Sequence, residues 1–318
     1  MPARWKNILH SNYRNGLAAL LTSCVFWSFA AVAAEYAFKK GNITPEFLVA
    51  LRLLMAAVII LVFCFIKEGT KIFSVFKRKR DIFFLFLYGV IGIALCQFAY
   101  YKCIAYSDAG TATVLEFAAP VFTIATIAIT SRHMPSKGAM LACVFAILGV
   151  FMISTGGNPH NLILSKEAIF WGLIAAAAVT VYTLSPTQLL QEHSTEVVLG
   201  WGTLFGFLCI VPFVKPWNHI PTFDLFDFSL AIIVNVIMGT ILSFNLFMKG
   251  LKAVGATKSG LYQSIEPLIA TILSAVLLGS TFNVNELTGF ALILLVPFLM
   301  EMKALPFKRK PKNLITEH

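Results

Sequence analysis

Residues 47–66 read FLVALRLLMAAVIILVFCFI and contain a single charged side chain, Arg52. A helix of this length and composition matches the hydrocarbon core of a lipid bilayer. The next residues, 67–81, contain six Lys or Arg. Long apolar runs that alternate with short basic loops are typical of a protein that crosses a membrane several times.

The whole chain has the composition of a membrane protein. Of its 318 residues, 58% are hydrophobic and 13% are charged, whereas soluble domains average about 45–50% and about 25%. The net charge of +10 would suggest a nucleic-acid partner in a soluble protein. Basic loops at a membrane surface explain it equally well, and no nucleic-acid-binding motif occurs. We therefore expect a lipid bilayer around the chain and no nucleic acid.

Ten segments are long and apolar enough to span a bilayer. They are 16–38, 47–66, 82–106, 108–130, 136–155, 168–187, 196–214, 229–248, 256–279 and 286–303. The sequence therefore predicts an all-α fold, a polytopic membrane bundle of ten transmembrane helices.

Basic residues are distributed unequally between alternating loops. If the N-terminus is cytoplasmic, the loops and tails on that side hold 19 Lys and Arg and those on the other side hold 5. Cytoplasmic loops of membrane proteins collect such residues, so we expect both termini in the cytoplasm. An even number of spans is then required, which agrees with ten.

A turn-rich segment, 155–161, divides the chain into two blocks of five helices. The predicted organisation is a cytoplasmic N-terminal tail (1–15), a first repeat (16–155), a loop (156–167), a second repeat (168–303) and a basic C-terminal tail (304–318).

A constant offset of 147 residues relates the two blocks. It pairs Ala109 with Ala256 and Pro120 with Pro267, and it continues through three helices without a gap. This regularity indicates an internal duplication. Because five is an odd number, the second copy must enter the membrane inverted. Inverted repeats are typical of transporters whose binding site lies at the membrane midplane.

Several short motifs follow one another in a recognisable order. They are Trp27-Ser28, Leu51-Arg52, Ala119-Pro120-Val121-Phe122, Ile265-Glu266-Pro267 and the apolar runs 146–150 and 289–294. In these motifs the sequence resembles the drug/metabolite transporter superfamily, and specifically its EamA-type ten-helix members. The resemblance covers 16–303 and implies two EamA repeats, cytoplasmic termini and a central substrate cavity. Glu116 is outside the family pattern.

Two acidic residues are predicted near the middle of the membrane, Glu116 and Glu266. A charge at that depth is costly, so it needs a reason. The offset places Gln263 opposite Glu116, and both faces are expected to line one cavity. These carboxyl groups could carry a proton or attract a cationic group. The alternative is a protonated glutamic acid that only binds a neighbouring helix.

Two further charged residues, Glu35 and Arg52, lie near the outer ends of the first two helices. They are expected to pair, which would fix helix packing. The functional alternatives are an outer gate, or Arg52 as the counter-charge to a substrate carboxylate.

Aromatic residues and prolines complete the candidate site. Trp27 shares a helix face with Glu35, and Tyr262 is one turn before Glu266, so both are candidates to line the cavity. Pro120, Pro186 and Pro267 are expected to kink their helices because proline lacks a backbone donor. The kinks serve either packing or hinge motion.

Other polar and small residues are interpreted as contacts between helices. Gln97, Asn235, Asn245 and Gln263 can hydrogen-bond neighbouring helices. Gly202 and Gly206 form a GxxxG motif, which permits close helix approach.

No catalytic signature, nucleotide-binding loop or metal-ligand spacing occurs, so neither an enzyme nor a metal or other cofactor is expected. The sequence favours a secondary transporter of a small metabolite, an exporter that alternates access and is open to proton coupling. An importer of a nutrient or organic cation is the alternative, followed by a non-transporting enzyme or scaffold. The sequence is compatible with a monomer and with a homodimer. The expected location is a bacterial plasma membrane.

Overall fold

The structure, a computed structural model, describes residues 3–131, 136–158, 162–221, 228–229, 231–254, 259 and 262–301. The predicted C-terminal tail and part of the loop between the repeats lie outside these residues. Within them all regular secondary structure is helical.

Ten apolar helices follow one another along the described chain. They are α1 (Ala3–Lys39), α2 (Pro45–Glu68), α3 (Lys79–Tyr106), α4 (Ala109–Thr130), α5 (Lys137–Thr155), α6 (Lys166–Leu189), α7 (Thr195–Val214), α8 (Ile233–Val254), α9 (Ile265–Leu278) and α10 (Val284–Glu301). The predicted all-α polytopic bundle is confirmed. Helix α1 begins well before the expected residue 16, so most of the predicted N-terminal tail is helical.

The helix ends satisfy backbone groups that have no partner inside the helix, which matters most next to lipid. At the start of α2, the Thr44 hydroxyl accepts from the Phe47 amide at 3.3 Å, and Pro45 occupies the first helical position. At the start of α4, the Asp108 carboxylate accepts from the Thr111 amide at 2.8 Å. Helix α5 ends at Thr155 and is capped by Gly156, whose φ of 60° lies in the left-handed region.

The two halves are interleaved in the bundle. Helix α1 packs against α8 and α9 of the second half, and α6 packs against α3 and α4 of the first half. Helix α2 packs against α7, and α5 against α10. The start of α1 defines the Tyr13 side of the bundle, and its end defines the Lys39 side.

Both halves contain interruptions at equivalent positions. Helix α3 includes a π-helical segment, Leu87–Leu95, and the π-helical segment Ala231–Leu242 forms the first part of α8. Helix α4 is broken between Glu116 and Ala119, and a turn at Ser264 precedes α9. The 147-residue offset relates the members of each pair, so the duplication extends to the irregular backbone.

The break in α4 and the turn before α9 are each followed by a proline. Because Pro120 has no backbone N–H, the carbonyl group of Glu116 lacks its usual helical donor, and Pro267 has the same effect on Gln263. Around the first break the Val121 amide bonds instead to the Ala118 carbonyl at 3.0 Å.

Glycines bring α3 and α7 into backbone contact. A Cβ atom on Gly89 would lie 2.3 Å from the carbonyl oxygen of Gly202, and one on Gly206 would lie 2.6 Å from that of Gly89. The close approach predicted from the GxxxG motif is confirmed. The motif alone could not identify Gly89 of α3 as the residue that these glycines contact.

Candidate functional site

A cavity of about 310 Å³ lies between the halves, next to the helix interruptions. This volume is at the small end of the range for ligand pockets. Helices from both repeats contribute to the wall, which is mainly apolar and aromatic. Among the lining residues, Leu251 and Ser259 belong to the Tyr13 side, near the end of α8 and before the start of α9.

The predicted site residues divide into two groups. Those that line the cavity are Trp27, Arg52, Glu116, Pro120, Gln263 and Glu266. Those that do not are Glu35, Tyr262, Pro186 and Pro267. The cavity therefore brings together the two acids, the arginine and one tryptophan, from four different helices.

The two acidic side chains enter the cavity at the breaks. Glu116 is the last residue before the break in α4, and its carboxylate accepts from the Cys96 thiol at 3.3 Å. Glu266 is 8% exposed and lies in the first turn of α9. The two carboxyl groups are close enough to interact electrostatically. Such a pair is costly in apolar surroundings unless a proton or a cation is shared between them.

Hydroxyl groups bind the backbone beside both breaks in a repeated pattern. Ser28 on α1 donates to the carbonyl oxygen of Glu266 at 3.0 Å. Thr180 on α6 donates to that of Ala119 at 3.3 Å. The two acceptors are 147 residues apart. The first helix of each half thus binds the broken helix of the other half, a contact that sequence analysis missed.

Arg52 is buried in a network of neutral groups. Its guanidinium donates to the carbonyl oxygen of Gly239 at 2.7 Å and also to the hydroxyls of Thr240 and Tyr101. The Tyr101 hydroxyl in turn donates to Asn235 Oδ1 at 2.8 Å. Asn235 therefore connects helices as predicted.

The π-helical backbone of α8 makes this network possible. The Gly239 carbonyl oxygen accepts from Arg52 and also from Trp27 Nε1, the latter at 2.9 Å. A π-helix shifts the usual hydrogen-bond pattern and often occurs at functional sites. Gly239 has no side chain, and this lets α1 approach, because a Cβ atom there would lie 2.6 Å from that of Ala30.

The predicted pair of Glu35 and Arg52 is wrong. The Glu35 carboxylate is fully buried and accepts from the Lys39 amine at 2.7 Å, the Ser274 hydroxyl at 2.7 Å, the Ser280 hydroxyl at 3.2 Å and the Ala109 amide at 2.9 Å. We call this group the Glu35 latch. It joins α1 and the start of α4 to the end of α9, and it closes the bundle on the Lys39 side.

The sequence interpretation of Gln97 as a contact between helices is also wrong. Gln97 is 5% exposed and lines the cavity. Neither its Oε1 nor its Nε2 has a hydrogen-bond partner among the described residues. Leaving a buried polar group in this state costs about 1–3 kcal/mol.

Four aromatic rings form an apolar part of the wall. Trp27 lies 5.1 Å from Phe244 and 5.4 Å from Phe247 between ring centroids, and Tyr182 lies 6.0 and 6.2 Å from the same two rings. Trp27 was predicted to line the cavity, and it does. Tyr262 instead bonds to Tyr13 through their hydroxyls at 3.0 Å, on the Tyr13 side.

The third proline has a different setting from the other two. Pro186 begins the last turn of α6, after the main helix ends at Leu184. Pro267 lies in the first turn of α9 and, like Pro186, is buried outside the cavity wall.

Comparison with known proteins assigns the family. The model of the EamA-like transporter family matches residues 14–155 and again residues 166–302. The chain belongs to this family. The transporter is thereby a member of the drug/metabolite transporter superfamily and is not an enzyme.

Relatives agree with this assignment. The transporter is 34% identical to a Salmonella typhimurium protein named uncharacterized inner membrane transporter YicL, over 88% of this chain and 93% of that one. It is 25% identical to the threonine/homoserine exporter RhtA of Salmonella typhimurium, over 74% and 76%. A solved crystal structure has the same fold, with a TM-score of 0.59, 16% identity and coverage of 90% and 96%. A multi-pass location in a membrane follows, with lipid around the bundle and a small molecule as substrate.

Proposed function

We propose that the transporter exports a small cationic or zwitterionic metabolite by alternating access, with Glu266 or Glu116 as the group that carries the coupling proton. The observation that supports this most is the cavity between the repeats, with two acidic side chains at the broken helices. Discontinuous helices at the repeat interface are where secondary transporters bind substrates and coupling ions.

The distribution of contacts indicates which side of the cavity is closed in this structure. With both termini in the cytoplasm, as the charge bias predicts, the Tyr13 side faces the cytoplasm. The Glu35 latch then closes the extracellular side, while the cavity reaches toward Leu251 and Ser259 on the cytoplasmic side. In an inward-facing arrangement of this kind an exporter loads its substrate and an importer releases it. The name of the relative RhtA, a threonine/homoserine exporter, favours efflux.

The two acidic residues favour a substrate that carries a positively charged group. A positively charged group can replace a proton between Glu116 and Glu266, so that substrate and proton compete for one site. Competition of this kind is sufficient for exchange of one substrate for protons across the membrane.

Proteoliposomes test this proposal. Liposomes containing the purified protein are loaded with a mixed pool of amino acids and amines, the outside is acidified, and efflux is followed by mass spectrometry. We expect at least one solute to leave faster with the gradient than without it, and no such effect in protein-free liposomes. With the same pool supplied outside instead, uptake that the acidified outside accelerates would indicate the importer, the alternative function. A pool that does not move in either direction would contradict the proposal.

A further inference from the structure

The amide of Gln97 belongs to the cavity wall and has no hydrogen-bond partner among the described residues. Gln97 is 5% exposed and lines the cavity, and neither its acceptor Oε1 nor its donor Nε2 is bonded to another described residue. Other polar side chains of α3 in this region are engaged. Tyr100 bonds to Thr113, and Cys96 donates to Glu116.

Arg52 lines the same cavity, and its described contacts leave some of its N–H donors unused. Gln97 and Tyr101 are four residues apart on α3, so they share one face, about 6 Å apart along the axis. The Arg52 guanidinium carbon lies 5.3 Å from the centre of the Tyr101 ring. A guanidinium has five N–H donors, and the described contacts of Arg52 use three of them.

The charge of Arg52 has no acidic partner in direct contact. Among the described residues no carboxylate lies within 4 Å of the guanidinium, and its three acceptors are neutral. A buried guanidinium with free donors is suited to bind a carboxylate. The amide N–H₂ of Gln97, a residue of the same cavity wall, supplies a further donor to such a carboxylate.

We propose that Arg52 and Gln97 form a carboxylate-binding subsite, so that the substrate is a zwitterion of the amino-acid class rather than a simple cation. Its carboxylate binds Arg52 and Gln97, its ammonium group lies toward Glu116 and Glu266, and its side chain contacts the aromatic wall. This inference rests on the proposed function, and it makes Gln97 a residue that determines specificity.

Binding to the full-length protein in detergent tests the subsite. The probes are the L-amino acids, their methyl esters, which lack the carboxylate, and the corresponding decarboxylated amines. Thermal stabilisation selects the amino acids that bind, and calorimetry gives their dissociation constants. We expect some amino acids to bind the wild type more tightly than their esters or amines.

Two variants distinguish a loss of binding at the subsite from a general loss of protein stability. Gln97→Leu removes the amide, and we expect the affinity for the amino acid to fall about ten- to hundredfold, with no change for the esters. Gln97→Glu keeps the size but competes for Arg52, so it is expected to weaken amino-acid binding and strengthen binding of the amines. The matched control is Asn245→Leu, because Asn245 Oδ1 is also buried without a partner among the described residues but lies outside the cavity wall. It should bind all probes as the wild type does.

The possible failures are distinct. If both Gln97 variants bind the amino acids with wild-type affinity, the subsite is wrong while the proposed transport function stands. Esters or amines that bind the wild type as tightly as the amino acids, or amino acids that fail to bind it at all, would also overturn the zwitterion assignment. Absence of any transport of the mixed pool is the separate result that overturns the proposed function.

Discussion

At the scale of single residues, the centre of the site is an arginine held by neutral acceptors. Arg52 contacts the carbonyl oxygen of Gly239 and the hydroxyls of Tyr101 and Thr240, which come from α3 and α8. Each contact joins α2 to another helix. The same side chain faces the cavity, so it fixes the packing and presents charge to the substrate.

Arg52→Lys tests this double role. An ammonium group keeps the charge but cannot reach three acceptors in the planar geometry of a guanidinium. Each buried acceptor left without a partner costs about 1–3 kcal/mol. We therefore expect a lower melting temperature together with strongly reduced transport. The control is Lys40→Ala, an exposed basic residue at the end of α1. A variant with wild-type stability and transport would show that the network has no role.

The sequence predicts some of these residues and not others for a physical reason. Arg52, Glu116 and Glu266 are recognisable because a charge inside an apolar run is costly and therefore conspicuous. Gln97 carries no charge, and whether a neutral amide binds another helix or a ligand depends on the side chains that face it. The expected pair of Glu35 and Arg52 is wrong for a similar reason. Two side chains at equal depth in the membrane do not necessarily lie on helix surfaces that face each other.

At the scale of helices, the Glu35 latch connects three elements that alternating access has to separate. It joins α1 and α4 to α9 through the fully buried Glu35 carboxylate, which contacts Lys39, Ser274 and the Ala109 amide. We expect it to be the closed gate on the Lys39 side. Opening then requires these contacts to break together.

Glu35→Ala should open the gate, and Cys96 reports it. The Cys96 thiol lines the cavity, so a membrane-impermeant thiol reagent added from the Lys39 side reaches it only when the gate opens. We expect labelling of Cys96, located by peptide mass spectrometry, to increase in the variant. Glu167→Ala, at the exposed start of α6, is the control. Equal labelling in Glu35→Ala and wild type would exclude a gating role.

Helix positions followed from the sequence more readily than helix contacts did. Hydropathy locates apolar segments because burial in lipid depends on composition. The π-helical segments in α3 and α8, and the exchange of α1 and α6 between the halves, depend on tertiary contacts such as the close approach at Gly239. A single sequence carries no direct signal for these.

At the scale of the whole molecule, the fold follows from composition and duplication. Ten apolar helices and a 147-residue offset were both visible in the sequence, and the matched family model covers both halves. The orientation in the membrane rests on the charge bias alone.

Reporter fusions test the orientation. The 19-to-5 distribution of Lys and Arg predicts that a fusion after Ala304 and one within residues 67–81 both report the cytoplasm. A fusion between α1 and α2, after Lys40, should report the opposite side and serves as the control. A periplasmic signal from either of the first two fusions would reverse the orientation and, with it, the proposed direction of transport.

If a carboxyl group in the cavity couples proton movement to transport, as we propose, Glu266→Gln measured in proteoliposomes must separate the two. Glutamine keeps the shape and hydrogen-bonding capacity of the side chain but cannot titrate. We predict loss of efflux driven by the pH gradient with exchange of substrate for substrate retained, while the control Glu167→Gln behaves as wild type in both assays. Glu116→Gln should show a weaker form of the same defect. Wild-type gradient-driven efflux in both Glu266→Gln and Glu116→Gln would contradict the claim.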